Sequence, residues 1–225
     1  MINSKKNIYF EEELSKYSWF NLGGPAEIMF KPDTIEELSK FLEKNKKKIY
    51  LLGAGSNTLI RDGGIRGVVI KLSSKFSYLK IINENIIEVG SSTLDKSLSN
   101  FAKDNSLSGF EFLSGIPGSV GGAIRMNCGC YGTDISKILI SIEVIDFKGK
   151  KSEIKADQIN FFYRGSSLPN DLIILSAKFK GLPDKKNAIE KRQNILIEKK
   201  KKISQVELKL VGVHLKIQKT KKPGN

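Results

Sequence analysis

The chain has 225 residues, 40% of them hydrophobic and 28% charged, with a formal net charge of +14 and two cysteines. That length supports a core able to fold without disulfides, and Cys128 and Cys130 are too close for an ordinary bridge, so a reducing cytoplasm is the expected setting. No apolar run approaches membrane-spanning length, the start lacks a signal-peptide core, and lysine runs at 46–48, 185–202 and 216–222 lack interleaved aromatics; neither a membrane nor a specific nucleic-acid partner is expected.

In chain order, Pro32-Asp33-Thr34 ahead of Ile35-Glu36-Glu37-Leu38 predicts a capped helix running to about Asn45. Ile49–Leu52 and Gly67–Leu72 are apolar runs bounded by turn residues and predict strands. Lys80–Ile82 and Ile86–Val89 predict a hairpin across Asn83-Glu84-Asn85. Ser92-Thr93-Leu94-Asp95 has the form of a Ser/Thr-x-x-Asp helix start, with Leu98 and Phe101 following at helical spacing. Strands are expected at Leu139–Phe147 and Glu153–Lys155, around Lys148-Gly149-Lys150, and at Leu172–Phe179. A charged helix over Lys185–Lys202 would use Ile189, Ile195 and Leu196 as its apolar stripe. Helices and strands mix irregularly, so an α+β fold is expected rather than a regular βαβ alternation.

Two glycine-dense segments stand out: Gly53-Ala54-Gly55-Ser56-Asn57-Thr58-Leu59, and Gly115-Ile116-Pro117-Gly118-Ser119-Val120-Gly121-Gly122-Ala123. Glycine lets a ligand approach the backbone, and bare N–H groups receive phosphate oxygens, so two such loops suggest a diphosphate held from both sides. The first loop lies between two predicted strands and lacks a third glycine, which disfavours a Rossmann fingerprint. Asn57 and Ser119 are placed to donate to a ligand, although Asn and Ser also stabilise turns without one. The single histidine, His214, gives no basis for a metal site or a Ser-His-Asp triad. Cys128-Gly129-Cys130 reads most simply as small residues packed beside a tight loop. Arg164, after Tyr163, offers a fork of donors to a developing anion, but on physics alone the reading as an ordinary surface arginine prevails.

Taken in order, Ser18-x-Phe20 with Gly23-Gly24-Pro25-Ala26, Leu52-Gly53-x-Gly55-Ser56-Asn57-x-Leu59, the run Gly115–Ala123 with Met126-Asn127 and Gly129-x-Tyr131-Gly132, and Tyr163-Arg164-x-Ser166 resemble the UDP-N-acetylmuramate dehydrogenase family, also called UDP-N-acetylenolpyruvoylglucosamine reductases. The resemblance spans about Lys16 to Lys202. It implies the two-lobed FAD-binding fold of the vanillyl-alcohol oxidase or PCMH type, with lobes at 1–72 and 73–202. It implies non-covalent FAD, for which Gly53, Ala54, Gly55, Ser56, Asn57, Thr58, Leu59, Gly115, Pro117, Gly118, Ser119, Gly121, Gly122 and Ala123 are the candidate contacts. Relatives with covalent flavin commonly carry a histidine in the first loop, where this chain has Asn57. It further implies NADPH as hydride donor, a UDP-sugar enolpyruvate as substrate, Arg164 as a catalytic residue beside an enolate-like charge, and Tyr163 as a substrate neighbour.

The family's third domain opens with Gly-Ser-x-Phe-Lys-Asn-Pro, which holds the proton-donating serine, and this reading frame does not contain it. Re-reading the codons of Leu210–Gln218 from their third base permits GGSTFKNP. The expectation is therefore that the frame is lost near Lys199–Ile203, that 203–225 are an out-of-frame basic tail, and that the chain is truncated and inactive. The alternative is a flavin-binding remnant without a catalytic role, and oligomeric state is not legible.

Overall fold

The computed structural model describes residues 7–200 and Lys202; the tail expectation falls on 203–225, outside them. The chain opens with β1 (Ile8–Glu13) and β2 (Pro25–Phe30), then α1 (Ile35–Lys44), β3 (Ile49–Leu51) and β4 (Ile65–Ile70). These strands form one sheet in the order β1-β2-β4-β3. β1 runs antiparallel to β2, whereas β4 lies parallel to both β2 and β3. The first glycine loop is thus the connection between two parallel neighbours, made without a helix.

A hairpin of β5 (Leu79–Asn83) and β6 (Ile86–Gly90) leads to α2 (Asp95–Asp104) and the short β7 (Leu107–Ser108). The second glycine segment opens α3 (Val120–Arg125), followed by the short pair β8 (Gly129–Cys130) and β9 (Thr133–Asp134). Then come β10 (Leu139–Asp146), β11 (Lys151–Lys155), the small hairpin β12 (Phe161–Phe162) and β13 (Gly165–Ser166), the long β14 (Leu172–Lys180), and β15 (Leu182–Pro183) beside β7. The second sheet has the order β11-β10-β14-β6-β5 and is antiparallel throughout. A last helix, α4, covers 186–200.

Local chemistry explains most of these elements. The Thr34 hydroxyl accepts from the Glu37 amide at 3.1 Å, capping α1, an arrangement worth about 1 kcal/mol. Leu38 and Leu42 on its inner face are buried. Gly149 (φ 84°) supplies the left-handed turn between β10 and β11. The expected cap of α2 does not form: Leu94 is the N-cap and makes no side-chain bond. Thr93 and Ser92 instead donate to the carbonyls of Tyr78 (3.2 Å) and Leu72 (3.3 Å), tying the entry to α2 onto the preceding chain. In α4, Ile189 is buried but Ile195 is half-exposed. The buried polar residue Gln193 takes up the intervening position, donating to the Ser99 hydroxyl at 2.8 Å and to its carbonyl at 3.1 Å. The amide replaces part of the expected apolar stripe because Ser99 of α2 presents polar atoms there.

The largest core packs α2, α3, Phe110, Phe112 and Leu113 against one face of the second sheet. A further core joins the two sheets, bringing Phe30, Leu38, Leu42, Val68 and Ile70 against Phe76, Ile145, Ile173 and Leu175. Burial of this apolar surface fixes the sheets relative to one another. It also sets β4 and β14 side by side along a cleft.

Candidate cofactor site

That cleft is a cavity of about 420 Å³, within the range of small-molecule sites. It is lined by Ile70, Leu172, Ile173 and Ile174, by Leu52, Gly53 and Ala54 at the first glycine loop, and by Ser119, Gly121 and Gly122 at the second. Lys71 and Arg125 contribute cations, Ser91 and Ser92 contribute hydroxyls, and no carboxylate is among the described lining residues. An anion with polyhydroxyl and apolar portions fits such a lining.

The two glycine loops meet across this cleft. A Cβ on Gly53 would lie 2.9 Å from the Ser119 hydroxyl, and one on Gly118 would lie 2.5 Å from Asp95 Oδ2. Gly55 is held at φ 71° with its α-carbon against the Tyr17 carbonyl, where a Cβ would lie 1.9 Å away. The Trp19 amide donates to the Gly55 carbonyl at 3.1 Å, so the turn 18–24 braces the first loop from outside. Helix α3 begins on the second loop: the Gly121 amide donates to the Ser91 carbonyl at 2.9 Å, and that of Val120 to Thr93 at 2.9 Å.

Lys71 follows the last residue of β4, and its ammonium donates to the Gly53 carbonyl. Burial, and then the nearby Lys31, pull its pKa below the ordinary lysine value. An arriving anion would oppose this lowering by favouring the charged ammonium. Arg125, at the end of α3, donates to the carbonyls of Leu168 (2.8 Å), Pro169 (2.8 Å) and Leu172 (2.7 Å). Through these bonds it ties one wall of the cavity to the segment entering β14.

Among the expected contact residues, Gly53, Ala54, Ser119, Gly121 and Gly122 face the cavity. Ser56 is half-buried, while Asn57, Thr58, Leu59 and Pro117 are exposed, and none of these five is among the cavity's lining residues. Gly115 accepts at its carbonyl from Lys200. Ala123 is buried in the core. Tyr163 and Arg164 form the turn of the β12–β13 hairpin, with Arg164 at φ 62° and Tyr163 88% exposed. The guanidinium lies 5.7 Å from the Tyr163 ring. The hairpin is fastened to the second loop's helix by Ser166, which donates to the Arg125 carbonyl at 3.0 Å. Lys71, Arg125, Ser91, Ser92 and Asp95 were not among the residues expected from sequence. Lys71 carried a usable signal, a cation ending an apolar strand whose neighbour ends in the glycine loop.

Fold and cleft together define a flavin-nucleotide-binding protein, and residues 26–154 match the FAD binding domain family. The chain is 46% identical over 213 residues to a UDP-N-acetylenolpyruvoylglucosamine reductase of Pelagibacter ubique, covering 94% of this chain and 70% of that one. It is 50% identical over 169 residues to the protein of that name from Rickettsia bellii RML369-C, covering 74% of this chain and 56% of that one. The crystal structure of the Thermus caldophilus enzyme superposes with a TM-score of 0.76 at 30% identity, covering 86% of this chain and 68% of that one. The chain belongs to the UDP-N-acetylenolpyruvoylglucosamine reductase family, and spans little more than half to about 70% of these relatives' lengths. An alignment covering 94% of the chain extends past Lys202, so the likeness continues further than the motifs suggest.

Proposed function

We propose that this chain holds FAD non-covalently in the cleft, and serves in reduction of UDP-N-acetylglucosamine enolpyruvate by NADPH for peptidoglycan precursor synthesis. The observation that carries this reading is a cavity walled by both glycine loops and provided with two cations and a row of hydroxyls. FAD supplies a two-electron relay between NADPH and the enolpyruvyl group; the rest is the work of the chain. Lys71 and Arg125 neutralise phosphate charge in a half-buried setting, where an ion pair is stronger than in water. Gly53, Gly121 and Gly122 allow backbone approach, and Ser91, Ser92 and Ser119 offer hydroxyl donors. The isoleucine lining excludes water from the ligand.

Arg164 is assigned to the enolate-like charge of the substrate. Its left-handed backbone, uncommon for a residue with a side chain, presents the fork outward from an anchored hairpin. Tyr163 is assigned to the substrate beside it. The lobe boundary is placed after Leu72, between the two sheets.

The test of the main reading is reconstitution. Titration with FAD is expected to give a saturable change in flavin fluorescence, abolished by excess ADP. Turnover of the UDP-sugar then separates a working reductase from a flavin-binding remnant, which would oxidise NADPH only with oxygen as acceptor. A chain that leaves the flavin signal unchanged would refute both.

A further inference from the structure

Asp95 opens α2 and is 1% exposed, yet neither carboxyl oxygen has a hydrogen-bond partner among the described residues. Such a group is costly, because a buried carboxylate without a donor loses hydration and regains nothing. It does not cap its helix, and its own amide donates to the Gly118 carbonyl at 3.1 Å. Its location is specific. The point a Cβ would take on Gly118 lies 2.5 Å from Asp95 Oδ2 and 4.0 Å from the Ser56 hydroxyl. The carboxyl, the first glycine loop and the second therefore converge at one place, and the residue over the carboxyl has no side chain.

We propose that Asp95, buried directly behind the two glycine loops and outside the cavity lining, must hold a proton for FAD to bind, because its charge would lie against the cofactor's phosphates with no donor to offset it. FAD binding then takes up one proton. The inference rests on the FAD reading above and adds to it a pH dependence. An ionised Asp95 would repel the cofactor's phosphates, whereas the protonated form would not.

The surroundings support the neutral form. Burial raises the carboxyl from its ordinary value to about 7 in the free chain, and an adjacent anion can only raise it further. On α2, Lys96 is exposed to solvent. Residues 53–57 and 115–119 carry no ionisable side chain. From the β8 side the titratable neighbour is Cys128, whose thiol is pushed above its usual range by burial and by Asp95, so it stays neutral; Cys130, Arg164 and Asp134 stand around Cys128. Lys71 and Arg125 belong to the cavity lining.

The test is the FAD dissociation constant measured by fluorescence quenching from pH 5.5 to 9. Affinity is expected to be flat in acid and to weaken about tenfold per pH unit above pH 7, one proton per site. Asp95→Asn, which is neutral, is expected to bind with no such slope up to pH 8.5. This separates Asp95 from any deprotonation of Lys71, which the variant retains. Should Asp95→Asn fail to fold, calorimetry at pH 8 decides, because heats in phosphate and Tris must differ by the ionisation heat of about one proton in the unaltered chain and must still do so in Lys71→Met. A pH-independent affinity with equal heats overturns the inference and leaves the FAD reading standing. Absence of binding at every pH overturns both.

Discussion

Replacing Lys71 with methionine removes one ammonium from the cavity and keeps nearly the whole aliphatic stem. In the free chain that ammonium is half-buried, its pKa lowered by burial and by Lys31, and among the described residues it is engaged only with the Gly53 carbonyl. A hydrogen bond to a charged partner is worth about 1.5–3 kcal/mol, so loss of its contact with a phosphate predicts a dissociation constant for FAD raised roughly tenfold to 150-fold. Fold stability is expected to change little, since the substitution also relieves the desolvation of a cation. Flavin fluorescence titration of the two proteins, at low and moderate salt, reads both effects: the variant should bind more weakly and show a shallower dependence on salt. Lys71→Arg should recover part of the affinity. A methionine variant binding FAD within twofold of the unaltered chain would refute the placement of the diphosphate beside Lys71.

Gly55→Ala places a methyl group against the Tyr17 carbonyl at a left-handed backbone position; a loss of at least about 1–2 kcal/mol is expected, seen as a lower denaturation midpoint. An unchanged midpoint would mean that the loop relaxes freely. Arg125→Ala strands the carbonyls of Leu168, Pro169 and Leu172; about 2–4 kcal/mol of stability should be lost, and amide exchange in the 161–166 hairpin should accelerate. Asp95 predicts an unusual pH profile for the FAD-free chain. Its folded pKa, about 7, lies above the unfolded value near 3.8, so folding favours the protonated form. Its contribution is lost as pH rises from about 4 to 7, amounts to up to about 4 kcal/mol, and levels off above pH 7. Urea denaturation across this range should show Asp95→Asn gaining stability relative to the parent as pH rises, and parallel curves would contradict the burial argument.

The sequence was readable wherever one local rule dominated. Thr34 announced α1, Asn83–Asn85 announced a hairpin, and Lys148-Gly149-Lys150 announced another, because caps and turns need particular side chains at particular places. β1 escaped notice for a physical reason: it is an edge strand with Tyr9 and Phe10 exposed, so it shows no alternation of buried and exposed residues. β2 begins at Pro25 behind two glycines, which read as a loop. The glycine loops were conspicuous, but several of their glycines are required by contacts within the chain. Gly55 answers to Tyr17 and Gly118 to Asp95, and neither constraint is local in sequence. Asp95 itself looked like the acid of a helix start; only the packing of two distant loops over it makes it a buried group without a partner. The mixed core of Ile70, Ile145 and Ile173, which aligns β4 with β14 and creates the cleft, is likewise a product of long-range packing.

The central claim is that the cleft between the glycine loops is an FAD site. Its most direct test is titration of the purified, flavin-free chain with FAD at pH 6.5, followed by visible absorbance, with the Lys71→Met variant alongside. The account predicts a saturable shift of the flavin bands at one FAD per chain, displaced to much higher concentration in the variant. A chain whose added flavin keeps the spectrum of free FAD at every concentration would contradict it.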